Sequence, residues 1–112
     1  MTTPLHILND GHAMPAVGFG TGPLRGDDGY AAMRAALANG YRLLDSAVNY
    51  LNEEQAGRAA RDFLAESGIP RDELTVQTKI PGRDHDYERA LASGEASLKL
   101  LGLDRIDVLL IH

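Results

Sequence analysis

Tyr41-Arg42-Leu43-Leu44-Asp45-Ser46-Ala47-Val48-Asn49-Tyr50 reads as a short apolar strand ending on a carboxylate, then a turn of small residues that carries a tyrosine. A carboxylate at the end of a buried strand costs free energy unless it is paired or put to use. Asp45 and Tyr50 therefore mark the first candidate site, and the elements on either side decide what surrounds it.

Upstream, Leu5 to Leu8 reads as a short strand, Asn9-Asp10-Gly11 supplies the residues a tight hairpin turn needs, and His12-Ala13-Met14 is the return arm. Pro15 leads into a brief apolar strand, Ala16 to Gly20, which Thr21-Gly22-Pro23 ends. Asp27 or Asp28 is placed to cap a helix whose apolar face is Tyr30, Met33, Ala36 and Leu37, and Asn39-Gly40 stops it.

Downstream, Asn52 is placed to cap a second helix, with Gln55 completing a capping-box-like pair. Ala56, Ala60, Phe63 and Leu64 form the apolar stripe of that helix, and Gly68 with Pro70 ends it. Leu74 to Lys79 is an alternating strand that again ends on a charge. A third helix begins near Asp86, with Leu91, Leu98 and Leu101 on one face and Gly102 as its stop. Arg105 to Ile111 reads as a buried strand, followed by His112.

Strands alternating with helices predict an α/β fold with a parallel sheet. The strand ends Gly20, Asp45, Lys79 and His112 fall about 25 to 35 residues apart, the size of βαβ units. Right-handed crossovers put the C-terminal ends of all these strands on one rim, where α/β proteins bind ligands. Asp45, Lys79 and His112 then converge there from three strands, with Tyr50 in the loop just beyond the first.

A phenol holds its proton at neutral pH and is a poor acid alone. A neighbouring ammonium favours the phenolate and makes the proton easier to give. Asp45 would keep Lys79 charged and in place, Tyr50 would act as general acid toward a substrate oxygen, and His112 would orient that oxygen. Each group also has an ordinary alternative: Asp45 a turn cap, Lys79 a solvated strand end, His112 a frayed terminus, Tyr50 a packing residue. Their joint placement on one face favours the site.

Composition sets the bounds. The chain has 112 residues, 44% hydrophobic and 24% charged, with net charge −5, which fits a single globular domain over 1–112. The absence of a basic patch interleaved with aromatics argues against nucleic-acid binding. With no cysteine there are no disulfides, thiolate metal sites or thiol nucleophiles. His6, His12 and His85 lack metal-ligand spacing, so no metal site is expected. The N-terminus lacks a signal-peptide pattern, and the longest strongly apolar run, Val108 to Ile111, is too short to span a bilayer; a cytoplasmic protein without membrane contact is expected. Gly18-Phe19-Gly20-Thr21-Gly22 follows a strand but lacks the third glycine and the later acid of a dinucleotide fingerprint.

Asp45-Ser46-Ala47-Val48-Asn49-Tyr50, with Asn52-Glu53-Glu54-Gln55 and Gly57, resembles the signature of the aldo-keto reductases. So do Thr78-Lys79, the stretch Leu98 to Asp107, Leu109-Leu110-Ile111-His112, and the opening Met14 to Thr21. The resemblance covers essentially the whole chain. It implies a TIM-type (β/α)₈ barrel plugged at the bottom by the N-terminal β-hairpin, and reduction of an aldehyde or ketone by NADPH, with NADH the alternative cofactor. Carried over, Tyr50 is the general acid, Lys79 assists its proton release, Asp45 pairs with Lys79, and His112 orients the carbonyl. Gly20, Thr21 and Asp45 would lie near the nicotinamide ribose. The substrate is a small-molecule carbonyl compound, and a full-length barrel would be a monomer.

A barrel of this kind needs about 250 residues, so the chain is expected to supply the N-terminal half, incomplete at its C-terminal end and inactive alone. Two departures stand out. Gly22-Pro23 occupies a place where members often carry a pocket-walling aromatic, and Gly94 sits in the third helix where a bulky apolar residue is usual. Two other functions compete: a Schiff-base aldolase using Lys79, and a non-catalytic barrel fragment that binds nucleotide or a partner chain.

Overall fold

Short apolar strands alternate with helices whose apolar residues recur at helical spacing, and the two kinds of element form two layers. The computed structural model describes residues 3–112. It opens with a hairpin, β1 (Leu5–Ile7) antiparallel to β2 (Ala13–Pro15), with Leu5 opposite Pro15 and Ile7 opposite Ala13. The turn closes as expected: the Gly11 N–H donates to the Leu8 carbonyl at 2.9 Å.

A parallel sheet follows, in the order β3 (Phe19–Gly20), β4 (Leu43–Asp45), β5 (Thr75–Ile80) and β6 (Val108–Ile111). Its strands alternate with α1 (Gly26–Ala38), α2 (Glu53–Ser67) and α3 (Tyr87–Leu101). The register aligns Gly20 with Asp45, Asp45 with Gln77, and Lys79 with Leu110. Because side chains alternate across a strand, these residues share one face of the sheet. The helices cover the other face. There Met33, Leu37, Leu44, Ala56, Ala59, Ala60, Phe63, Val76 and Leu101 form the core. The alanines of α2 let that helix approach both neighbours; α2 packs on α1 and on α3.

Several sequence expectations shift. The strand expected from Ala16 shortens to Phe19–Gly20, because the Ala16 N–H donates to the Pro4 carbonyl at 2.8 Å and so extends the hairpin instead. Neither Asp27 nor Asp28 caps α1: the helix starts at Gly26, and both carboxylates sit within its first turn, where they face the positive end of the helix dipole. Asp86 does cap α3, its Oδ1 accepting the Arg89 N–H at 2.9 Å. Gly68 and Gly102 end α2 and α3 in the left-handed conformation that glycine adopts without penalty.

The largest correction concerns β6. Expected to be buried, it leaves Leu109 43%, Leu110 39% and Ile111 68% exposed. The reason is topological: β6 is an edge strand paired only with β5. Leu91 of α3 is exposed too; α3 packs on α2 and lies at the same margin of the helix layer.

Candidate active site

The helix-free face of the sheet carries the polar strand ends. Lys79 lies near the end of β5 and reaches across to β4. Its Nζ donates to Asp45 Oδ1 at 2.6 Å, to the Ser46 carbonyl at 3.0 Å and to the Tyr50 hydroxyl at 3.2 Å. An ammonium has three protons, and three oxygens receive them. Only 12% of the Lys79 side chain and 26% of the Asp45 side chain are exposed, so the pair is screened less than a surface ion pair. Gln77, two residues before Lys79 and on the same face, adds an Nε2 donation to the same Oδ1 at 2.8 Å. Both hydrogen bonds to the carboxylate fall on Oδ1, and Oδ2 accepts none from the described residues.

Tyr50 ends a short 3₁₀ turn, Val48–Tyr50. Leu51 then takes a left-handed backbone, φ 57°, which a bulky residue adopts only where its surroundings impose it. That reversal leaves the Tyr50 ring over the sheet end and sends the next side chain, Asn52, inward. The Lys79 ammonium also lies 4.6 Å from the Tyr50 ring centroid. The His112 ring stands edge-on to Tyr50, with centroids 5.9 Å apart and planes at 87°. The His112 N–H donates to the Ile80 carbonyl at 2.9 Å, which extends the β5–β6 pairing and fixes where the ring begins.

All four rim residues named from sequence are therefore brought together. Gly20 lies opposite Asp45 in register, and a methyl placed on it would meet nothing within 4 Å, so the space beside the carboxylate is open. Thr21 is different. Its hydroxyl is buried and donates to the Asp45 carbonyl at 2.8 Å, so it supports the rim from below rather than lining it. Gly22 sits by Tyr50: a Cβ there would be 3.8 Å from the ring.

Three further residues, Gln77, Asn52 and Glu53, brace the rim, two of them in tasks that their local sequence does not name. Gln77 was legible, because the strand alternation puts it on the Lys79 face. Asn52 occupies the capping position of α2, yet its side chain makes no cap; it is fully buried and bonds to two other loops. Glu53 is 3% exposed and accepts the Thr78 hydroxyl at 2.6 Å, which fastens the start of α2 to the helix side of β5. No local pattern announces either of these.

Comparisons with known proteins give the family and the fold. Residues 16–112 match the model of the aldo/keto reductase family. The chain belongs to that family. Over 109 residues it is 54% identical to 2,5-diketo-D-gluconic acid reductase B of Corynebacterium sp. (strain SHS752001), covering 97% of this chain and 38% of that one. An aldo-keto reductase of Mycolicibacterium smegmatis is 45% identical over 109 residues, covering 97% of this chain and 37% of that one. The chain spans less than two-fifths of the length of these curated relatives.

Among solved structures, an aldo-keto reductase of Bombyx mori in complex with NADP superposes with TM-score 0.90 at 36% identity, covering all of this chain and 38% of that one. MGS-M4, an aldo-keto reductase enzyme from a Medee basin deep-sea metagenome library, superposes with TM-score 0.87 at 47% identity, covering 96% and 38%. The four parallel strands and three helices are thus part of an aldo/keto reductase (β/α)₈ barrel. No described helix is long and apolar enough to cross a membrane.

Proposed function

We propose that this chain carries the proton-donating half of an NADPH-dependent reduction of a small aldehyde or ketone, with Tyr50 as the donor. The observation that carries the reading is the single ammonium of Lys79, hydrogen-bonded at once to Asp45 and to the Tyr50 hydroxyl. Asp45 holds Lys79 as an ammonium. That charge stabilises the phenolate Tyr50 becomes when it gives up its proton. His112, whose ring packs at right angles to that of Tyr50, helps to hold the substrate oxygen within reach of the phenol. Water then restores the Tyr50 proton.

The residues present fit a nicotinamide cofactor. Asp45 Oδ2 is free to accept from a ribose hydroxyl, and the backbone at Gly20 leaves room for the sugar beside it. Thr21 contributes by holding the Asp45 carbonyl. When bound, NADPH supplies the hydride that adds to the carbonyl carbon. The NADP complex of the Bombyx mori relative supports NADPH over NADH. The same Asp45 contact weighs against a Schiff-base aldolase, because an ammonium whose protons are all engaged has no free lone pair for a carbonyl.

The finer assignments follow from this reading: a cytoplasmic enzyme, monomeric as a complete barrel, and an isolated 112-residue chain that performs no reduction on its own. Purified chain incubated with NADPH and an aldehyde tests the last point. No consumption of NADPH above the uncatalysed rate is expected, and robust turnover would refute it.

A further inference from the structure

Asn52 is 0% exposed and joins three stretches of chain. Its Nδ2 donates to the Thr21 carbonyl at 2.7 Å and to the Leu24 carbonyl at 3.1 Å, both in the loop after β3. Its Oδ1 accepts the Ser46 hydroxyl at 2.6 Å, in the loop after β4. The Thr21 N–H and hydroxyl both run on to the Asp45 carbonyl, at 3.1 and 2.8 Å. The Ser46 carbonyl, for its part, accepts from Lys79 at 3.0 Å. One amide therefore holds the backbone on which two of the three Lys79 acceptors sit, and the loop whose Gly22 lies beside the Tyr50 ring.

We propose that Asn52 is a positioning residue that fixes the Lys79–Tyr50 contact through the Thr21–Leu24 and Asp45–Ser46 loops. The chemistry of the position requires an amide. It must donate twice to carbonyls and accept once from a hydroxyl, all without water. A carboxylate lacks the donors and would place a charge where nothing is exposed. A serine or alanine removes the amide's donation to the Thr21 and Leu24 carbonyls, which then keep only the Leu24 N–H at 2.9 Å and the Arg25 guanidinium at 3.1 Å, and so unties the two loops from the head of α2. A cap at the head of α2 would need only the oxygen. That the amide instead turns inward, after the left-handed Leu51, shows which task the fold has given it.

The proposal rests on the reading of Tyr50 as proton donor, and the test separates the two. The probe is the ¹³Cζ resonance of Tyr50 in the 112-residue chain labelled with ¹³C-tyrosine, assigned by Tyr50→Phe and read at neutral pH. In the parent chain, Lys79→Met is expected to move that resonance, because the ammonium faces the phenol oxygen. In an Asn52→Ser background the same Lys79→Met change is expected to move it by less than half as much. Met33→Ala, a core truncation away from the rim, serves as the stability control and is expected to keep the full response.

An undiminished Lys79→Met response in the Asn52→Ser background overturns the positioning role while leaving the proton-donor reading intact. Absence of any response in the parent chain overturns both. Should Asn52→Ser fail to fold, Ser46→Ala carries the test: it removes one bond to the amide, and a Lys79→Met response as large as in the parent then counts against the proposal.

Discussion

Lys79 and Asp45 meet across neighbouring parallel strands, Nζ 2.6 Å from Oδ1, although 34 residues separate them in the chain. Gln77 shares the same oxygen. The pair is therefore set by β4–β5 register, and a register error would break it. A double-mutant cycle of Asp45→Asn and Lys79→Met, followed by urea unfolding, is expected to give a coupling energy of about 0.5–3 kcal/mol. Independent, additive effects would mean that the contact carries no energy.

Gly57 in α2 lies against the end of α3, where an added Cβ would come within 1.9 Å of the Leu101 carbonyl oxygen. Backbone cannot move aside as a flexible side chain can. Gly57→Ala is therefore expected to destabilise the chain by about 1–3 kcal/mol despite the better helix propensity of alanine. A lower urea midpoint with an unchanged slope is the sign to look for.

Gly94 behaves in the opposite way. A Cβ there would make an ordinary contact, 3.5 Å from Leu109 Cδ2, in a helix that pays for glycine with backbone entropy. Gly94→Ala should raise stability by about 0.5–1 kcal/mol. A larger apolar residue should also cover part of exposed β6. A decrease in the melting midpoint on Gly94→Ala would show that the position is closed.

At the hairpin turn, the Asp10 carboxyl is held below its ordinary value by the His12 backbone N–H, 3.0 Å from Oδ1, and by the His12 side chain. A lowered carboxyl value means that the contribution to the turn is present above the ordinary carboxylate range and is lost as pH falls through the folded value. Protection of the His12 amide, measured against its intrinsic exchange rate at each pH, should fall in acid, and Asp10→Asn should flatten that dependence. The site is exposed, so the overall melting temperature should hardly change.

Much of this fold was legible because its elements are strongly punctuated. Gly68, Gly102 and Asn39-Gly40 stop the helices where the sequence says they should, and the repeat spacing foretells parallel strands with Asp45, Lys79 and His112 on one rim. What misled the sequence reading was context that only tertiary structure supplies. Four apolar residues at Val108–Ile111 read as buried, but burial of a strand depends on what pairs with it, and here its outer edge has no partner among the described residues. Asn52 carries a capping residue's identity and position, and its inward turn depends on Leu51 adopting a backbone conformation that no leucine advertises. Thr21 reads as a rim residue but is consumed in holding Asp45.

The central claim, that Tyr50 gives the proton and Lys79 makes it available, is tested most directly in a complete barrel. Residues 1–112 would be joined to the remaining C-terminal part of 2,5-diketo-D-gluconic acid reductase B, the relative 54% identical over the shared portion. The measurement is NADPH consumption with an aldehyde, alongside NADPH binding by fluorescence, for the parent and for Tyr50→Phe. Losing a general acid should lower kcat by about 10²–10⁴-fold while the affinity for NADPH stays the same. Near-full activity in Tyr50→Phe would contradict the account.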